Sequence, residues 1–293
     1  MGFYKEMIKS MLSRFGFELS TIDQKLSQLL IDRAVKQQGL GTIIGELRLI
    51  EPDISNQQSS GREDFNDYWE LKRRALQAFQ CVLMLKAVAG IGKEKITVVD
   101  IGDSAGTHML YLKELTKGAY EIDSIGVNLD PKAIAKIKAR GQKALLCRAE
   151  DLDLGGQAID LFTSFEMVEH LHNPALFFRR LAKKSHGKRI LITVPYLKQS
   201  RVGLHNIRNK TNNPYFAEQE HIFELNPEDW KLLLLHSGWK VSYEKIYYQY
   251  PVGWPVISWL LGGFWRKRDY EGFWGAVLEK DTVLSDLYQD WEN

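Results

Sequence analysis

From residue 96 onward the chain repeats one pattern: a short apolar run, a turn carrying glycine or an Asn/Asp-Pro pair, then a longer segment with helical spacing. The apolar runs are ITVVDI, IDSIGVNL, KALLCRA, IDLFTSF and RILITVPY. Runs this short and this rich in Val, Ile, Leu and Phe suit strands buried on both faces. Strands that alternate with helices lie parallel, because a crossover of that length returns the chain to the same sheet edge. The pattern predicts an α/β domain: a mostly parallel sheet covered by helices. Two last strands, KVSYEKIYYQY and FWGAVLEKD, are predicted on either side of an aromatic segment at about 251–272.

Helix starts are marked by their chemistry. Asp130-Pro131, Asn173-Pro174 and Asn226-Pro227 each put a capping side chain before a proline at the first helical position, where its missing N–H is no loss. Gly187 and Gly238 stand where the second and third of these helices are predicted to end. Residues 1–94 differ in character. Helical patterns at about 3–15, 21–37 and 64–89 surround the polar loop EPDISNQQSSGRED, so this part reads as an N-terminal helical extension.

Charge and composition narrow the partners. A net charge of +2 gives no field that calls for a polyanion, so nucleic acid is not expected. Cys81 and Cys147 lie in apolar runs without CxxC spacing and read as small buried hydrophobes of a reducing compartment. The N-terminal segment intersperses Lys5, Lys9 and Arg14 with Phe3, Met7, Met11 and Phe15, unlike a signal peptide. The most apolar stretch, residues 254–265, is about half the roughly 20 residues of a bilayer span. A cytoplasmic location is expected.

The first strand and its turn read ITVVDIGDSAGTH. A P-loop needs Gly-Lys-Ser/Thr, whereas Gly106 is followed by Thr107 and His108; a dinucleotide fingerprint lacks its third glycine here. What remains is acidic-x-Gly-x-x-x-Gly. With it the chain resembles the class I, Rossmann-like S-adenosylmethionine-dependent methyltransferases, whose first motif is (Asp/Glu)-x-Gly-x-Gly-x-Gly. Asp100, Gly102 and Gly106 match, and Ser104 stands at the middle glycine.

Later segments resemble the family in the same order. GVNLDP ends the second strand, with Asn128 where the family carries an acid that grips the ribose hydroxyls; its amide oxygen is expected to accept one of them. Asp130 either substitutes for that acid or caps a helix. CRAEDLDL resembles the adenine-contacting loop, with Glu150 or Asp151 as acceptor for the adenine amino group. The resemblance runs over about residues 95–280. It implies a seven-stranded sheet with helices on both faces, and a methyltransferase domain at 95–282 with an aromatic insertion at about 251–272 and a tail at 283–293. It also implies S-adenosylmethionine as cofactor, held by Asp100, Gly102, Ser104, Gly106, Asn128, Leu129, Glu150, Asp151 and Phe165.

After the fourth strand, SFEMVEHLHNP places Glu166, Glu169 and His170 at i, i+3 and i+4, one face of a helical turn if the backbone turns helically there. Two carboxylates and an imidazole at the carboxyl edge of an open sheet can hold a divalent ion. The segment resembles Glu-x-x-Glu-His of the ubiquinone-pathway O-methyltransferases. It resembles equally the small-RNA 2′-O-methyltransferases, which add a later histidine and bind Mg²⁺ or Mn²⁺. That resemblance implies Glu166, Glu169, His170 and His221 as metal ligands. Two other readings stand beside it: His170 as a metal-free general base with Glu169 and His221 near the acceptor, and a purely structural role.

Acceptor choice in this family resides largely in additions to the core. The N-terminal helices, with Trp69, Lys72 and Arg73, read as a lid or as packing helices. The insertion carries Trp254, Trp259, Trp265 and Trp274, with Arg266, Lys267 and Arg268; it reads as a substrate wall, a homodimer contact or a membrane-surface contact through 254–268. The leading expectation is methylation of an oxygen on a small molecule: a sugar, polyketide, phenolic or lipid-linked metabolite. RNA 2′-O-methylation and a non-catalytic cofactor-binding protein are the alternatives.

Overall fold

The structure is a computed structural model that describes residues 19–57, 65–212, 214–253, 255–266 and 270–288. The helix expected at 3–15, Trp254, Lys267, Arg268 and the end of the tail lie outside the described residues.

Three helices come first: α1 (Leu19–Gln37), α2 (Gly41–Ile50) and α3 (Asp67–Ala89). The alternating part follows as β1 (Lys95–Ile101), α4 (Thr107–Leu115), β2 (Glu121–Asn128), α5 (Pro131–Ala139), β3 (Lys143–Leu146), β4 (Leu161–Phe165), α6 (Pro174–Lys184) and β5 (Arg189–Tyr196). A small excursion, β6 (Arg201–Val202), α7 (His205–Arg208) and β7 (Phe223–Glu224), precedes α8 (Pro227–His236), β8 (Trp239–Tyr248), α9 (Pro255–Arg266) and β9 (Gly272–Lys280).

Seven strands form one sheet in the order β3-β2-β1-β4-β5-β9-β8, and β6 pairs with β7 in a separate two-stranded ribbon. The first five sheet strands are parallel, and β9 runs antiparallel to both its neighbours. The order reverses beside β1, so the carboxyl ends of β1, β2 and β4 diverge around a crevice, where open sheets of this type take their ligands.

Period-two alternation divides the core. Ile96 and Val98 of β1 join α1 to α4 on one face, while Val99 and Ile101 join α6 and α8 on the other. The expected caps form: Asp130, Asn173 and Asn226 accept from the amides of Lys132, Leu176 and Asp229 at 2.9, 3.0 and 3.0 Å. Gly238, at φ +94°, follows α8 as expected. Gly187 does not cap α6, which ends at Lys184. It leaves room for the Phe162 ring, which a Cβ there would meet at 2.2 Å.

The helices before β1 are part of the same core. Leu83 and Phe79 of α3 lie over Gly275, where a Cβ would stand 2.2 Å from Leu83 Cδ1. The Gln80 amide donates to Thr193 Oγ1 at 3.0 Å, and Arg189 Nη1 donates to the Ala87 carbonyl at 2.9 Å. Arg74 is fully buried yet satisfied, donating to the Leu47 and Pro52 carbonyls, to Tyr111 Oη and to Glu70. Of the insertion, Trp265 is buried on the inner face of α9 and Trp274 sits in β9, donating to Glu244 at 2.8 Å; Val256, Trp259 and Leu260 are exposed. No helix among the described residues is long and apolar enough to cross a membrane.

Candidate active site

A cavity of about 430 Å³ opens at the carboxyl ends of β1, β2, β3 and β4. Gly102, Ser104, Asn128, Leu129 and Glu150 line it, together with Glu166 and His170, and with Glu218 and Gln219 from the 217–219 turn. Its size is that of a small-molecule site.

The glycine turn is shaped by two left-handed glycines. Gly102 has φ +92°, and a Cβ there would meet Met167 Cγ at 2.7 Å; Gly106, at φ +73°, starts α4. Asp103 organises the loop between them. Its Oδ1 accepts from the amides of Ala105 (3.0 Å) and Gly106 (2.6 Å), while its carbonyl accepts from Asn128 Nδ2 at 2.9 Å.

Not every residue implied as a cofactor contact reaches the cavity. Asp100 is buried below the turn, where its Oδ1 accepts from Thr163 Oγ1 at 2.8 Å. Burial first, and then the charge of Asp103, push its carboxyl well above the usual range. Asp151 faces a neighbouring cavity between residues 149–157 and α6. Gly106 and Phe165 do not line the cavity; Phe165 instead lies against His108 with ring centroids 4.4 Å apart. Asn128 reaches the wall, but the oxygen expected to take a ribose hydroxyl already accepts the Asp130 amide at 2.8 Å, and Asp130 is a helix cap. Cys147 also differs from expectation: it is half-buried and lines the cavity, while Cys81 is fully buried.

At the β4 end the structure brings together three of the four expected ligands. Glu169, His170 and His221 each offer one ligand atom, all within 4.8 Å of one another. Glu166 is not in the group. It follows β4 in the left-handed region at φ +51°, and the helical turn begins only at Val168, so the i, i+3, i+4 face does not include it. A non-glycine residue held there stores strain, a feature concentrated at functional sites.

Glu169 is 1% exposed, and neither carboxyl oxygen has a hydrogen-bond partner among the described residues. Burial above all, then the Glu166 charge, push its carboxyl well above the usual range. His170 donates through Nδ1 to the Glu220 carbonyl at 3.0 Å, and burial pushes it down to about 4. His221 meets His170 edge-on, with ring centroids 4.5 Å apart. Its Nδ1 lies 2.7 Å from Tyr270 Oη, which donates to Glu224 at 2.5 Å. The rings keep Nε2 uncommitted and the carboxylate beside them is unsatisfied, a donor set suited to a divalent cation.

Sequence reasoning missed Asp103, Tyr270, Glu224 and the lining residues 218–219. Only Asp103 had a local signal, an Asp two and three residues ahead of turn amides.

A family model described as a methyltransferase domain matches residues 70–244, more than half of the chain. The chain belongs to the S-adenosylmethionine-dependent methyltransferases of the class I fold. Its start inside α3 agrees with the packing of that helix on the sheet. A Mycobacterium tuberculosis protein described as a probable S-adenosylmethionine-dependent methyltransferase is 27% identical over 117 residues, 39% of each chain. The match thus spans about two fifths of that relative's length.

Among solved structures, the 1,6-didemethyltoxoflavin-N1-methyltransferase of Burkholderia thailandensis superposes with a TM-score of 0.51 at 14% identity, covering 73% of this chain and 81% of that one. Magnesium protoporphyrin IX methyltransferase from Synechocystis PCC 6803, with bound S-adenosylmethionine, gives 0.50 at 12% identity, covering 85% and 97%. At these identities the likeness concerns the fold.

The cavity fits S-adenosylmethionine on its own terms. Gly102 keeps the turn's backbone at the cavity wall, Leu129 and Cys147 offer apolar wall of the kind a base needs, and Glu150 offers an acceptor.

Proposed function

We propose that the protein transfers the methyl group of S-adenosylmethionine to a hydroxyl of a small molecule, a sugar, polyketide, phenolic or lipid-linked metabolite, with a divalent cation held by Glu169, His170 and His221. One observation carries this reading: His170 belongs both to the cofactor cavity wall and to the three-ligand cluster. The folds named above serve acceptors of different kinds, so acceptor chemistry is read from this cluster and not from the fold.

S-adenosylmethionine supplies an activated methyl group, and a cation at the cluster would supply Lewis-acid polarisation of the acceptor hydroxyl. The residues themselves do the rest. Gly102, Ser104, Asn128, Leu129 and Glu150 orient the cofactor, and residues 218–219 contribute polar wall beside it. His170, kept neutral by its burial, suits a ligand better than a base, because a base of pKa about 4 takes a hydroxyl proton poorly. The net charge of +2 gives RNA no electrostatic support.

Calorimetry with S-adenosylmethionine and a screen of hydroxyl and amine acceptors, read as S-adenosylhomocysteine released with and without EDTA, tests the proposal. Cofactor binding and chelator-sensitive turnover of hydroxyl acceptors are expected. Turnover of amines alone removes the O-methyltransferase reading, turnover that survives chelation removes the cation, and no cofactor binding removes both.

A further inference from the structure

The nitrogen that His221 turns toward Glu169 and His170 is decided by two side chains from other parts of the chain. Tyr270 lies two residues before β9, and its ring stacks on His221 at 5.5 Å and 14°. Glu224 lies in β7, facing Arg201 across the ribbon, and Arg201 Nε donates to its Oε2. The ribbon closes tightly enough that a Cβ on Gly203 would stand 2.2 Å from the His221 carbonyl oxygen and 3.0 Å from Glu224 Cδ. Gln249 Nε2 holds Tyr270's backbone, donating to its carbonyl at 2.8 Å, and the neighbouring Glu271 accepts from Tyr250 Oη at 2.5 Å and from Arg266.

Proton accounting then leaves one arrangement. A carboxylate paired with Arg201 is only an acceptor, so the single Tyr270 hydroxyl hydrogen points to Glu224. Tyr270 Oη therefore accepts from His221, whose Nδ1 carries the hydrogen and lies also 3.4 Å from Glu224 Oε1, a second acceptor. In the neutral ring Nε2 is then left as a lone pair. His170 reaches the same state by a simpler route, since its Nδ1 faces a carbonyl oxygen.

We propose that Tyr270 and Glu224 are positioning residues that hold His221 in its Nδ1–H tautomer, so that Nε2 completes the donor set with Glu169 and His170. The inference extends the cation reading above. Outer partners of this kind orient a ligand and raise its basicity, and losing one typically costs about 10–100-fold in metal affinity.

The test compares wild type with Tyr270→Phe, which keeps the stacked ring, and with Glu224→Gln, which keeps the shape and loses the charge. Histidine side-chain ¹⁵N spectra report the tautomer, and titration with Mn²⁺ alone reports affinity. Thermal melting verifies that each variant is folded, and Glu224→Gln decides if Tyr270→Phe is not. Expected are an Nδ1–H His221 in wild type, a shift toward Nε2–H in Glu224→Gln and a smaller one in Tyr270→Phe, where Glu224 Oε1 stays 3.4 Å from Nδ1, and Mn²⁺ affinity about 10–100-fold weaker in Glu224→Gln. An Nε2–H His221 in wild type, or variants with unchanged tautomer, overturns the inference. If wild type binds no Mn²⁺, the cation reading falls, while the ¹⁵N comparison still decides what Tyr270 and Glu224 do.

Discussion

The two ends of the active-site cavity are built in opposite ways. The cofactor turn comes from seven consecutive residues, Asp100 to Gly106, and is held by its own Asp103. The acceptor end is gathered from residues 166–170, 218–224 and 270, with the Ile222 amide donating to the Glu169 carbonyl at 2.8 Å to join the first two segments. A site written in one short segment is set by backbone conformation. A site gathered from three depends on side chains that each fix another's orientation, so substitutions at the two ends should fail differently.

The sharpest separation is expected from Glu169→Gln. Loss of the cluster's carboxylate should lower turnover by about 10³-fold, within the range for losing an acid–base or metal-ligand function. S-adenosylmethionine affinity should stay within about twofold, because Glu169 does not line the cofactor cavity. Equal losses in both would erase the distinction between the two ends. Gly102→Ala is the converse. Its strained φ and the clash with Met167 should weaken cofactor binding by about 10–100-fold in calorimetry.

A third experiment concerns the floor under the cofactor turn. Burial lowers His108 to about 4, below its ordinary 6.5. The unfolded chain thus takes up a proton between those values and the folded protein does not, so this contribution to stability is complete above pH 6.5 and is lost as pH falls toward 4. Denaturant unfolding at pH 7.5 and pH 5 should show wild type losing about 2 kcal/mol more than His108→Gln. A parallel pH response of the two proteins would show that His108 titrates normally.

The smallest effect is expected from Asn128→Asp, which installs the acid usual in the family. The new oxygen would face the Asp103 carbonyl that the Asn128 amide now donates to, so cofactor affinity should fall by about threefold to tenfold, the worth of one hydrogen bond. Tighter binding would mean that the turn re-forms around a ribose contact.

Legibility in the sequence followed locality. The five parallel strands, their caps and the Gly102 turn announce themselves within windows of ten residues. Helix α2 was missed because Gly41, Gly45 and the Thr-Ile-Ile run speak against a helix that packing of Ile44 and Leu47 nonetheless stabilises. The two-residue strands β6 and β7 are too short for any periodicity. Glu166 was grouped with Glu169 and His170 on the assumption of helical spacing, which its left-handed φ breaks. Tyr270 and Glu224 are 46 residues apart and carry no pattern that links them; only the folded ribbon and the approach to β9 do.

Helix α3 reaches behind both ends of this cavity through one side chain. Gln80 accepts from His108, under the cofactor turn, and donates to Thr193, whose carbonyl in turn receives the Glu166 amide. An exchange of the first 94 residues for those of a relative would therefore replace a shared amide bridge along with a surface. Unless the donor helix brings a glutamine to that register, such a chimera would inherit the sheet of one enzyme and lose the alignment between its two half-sites.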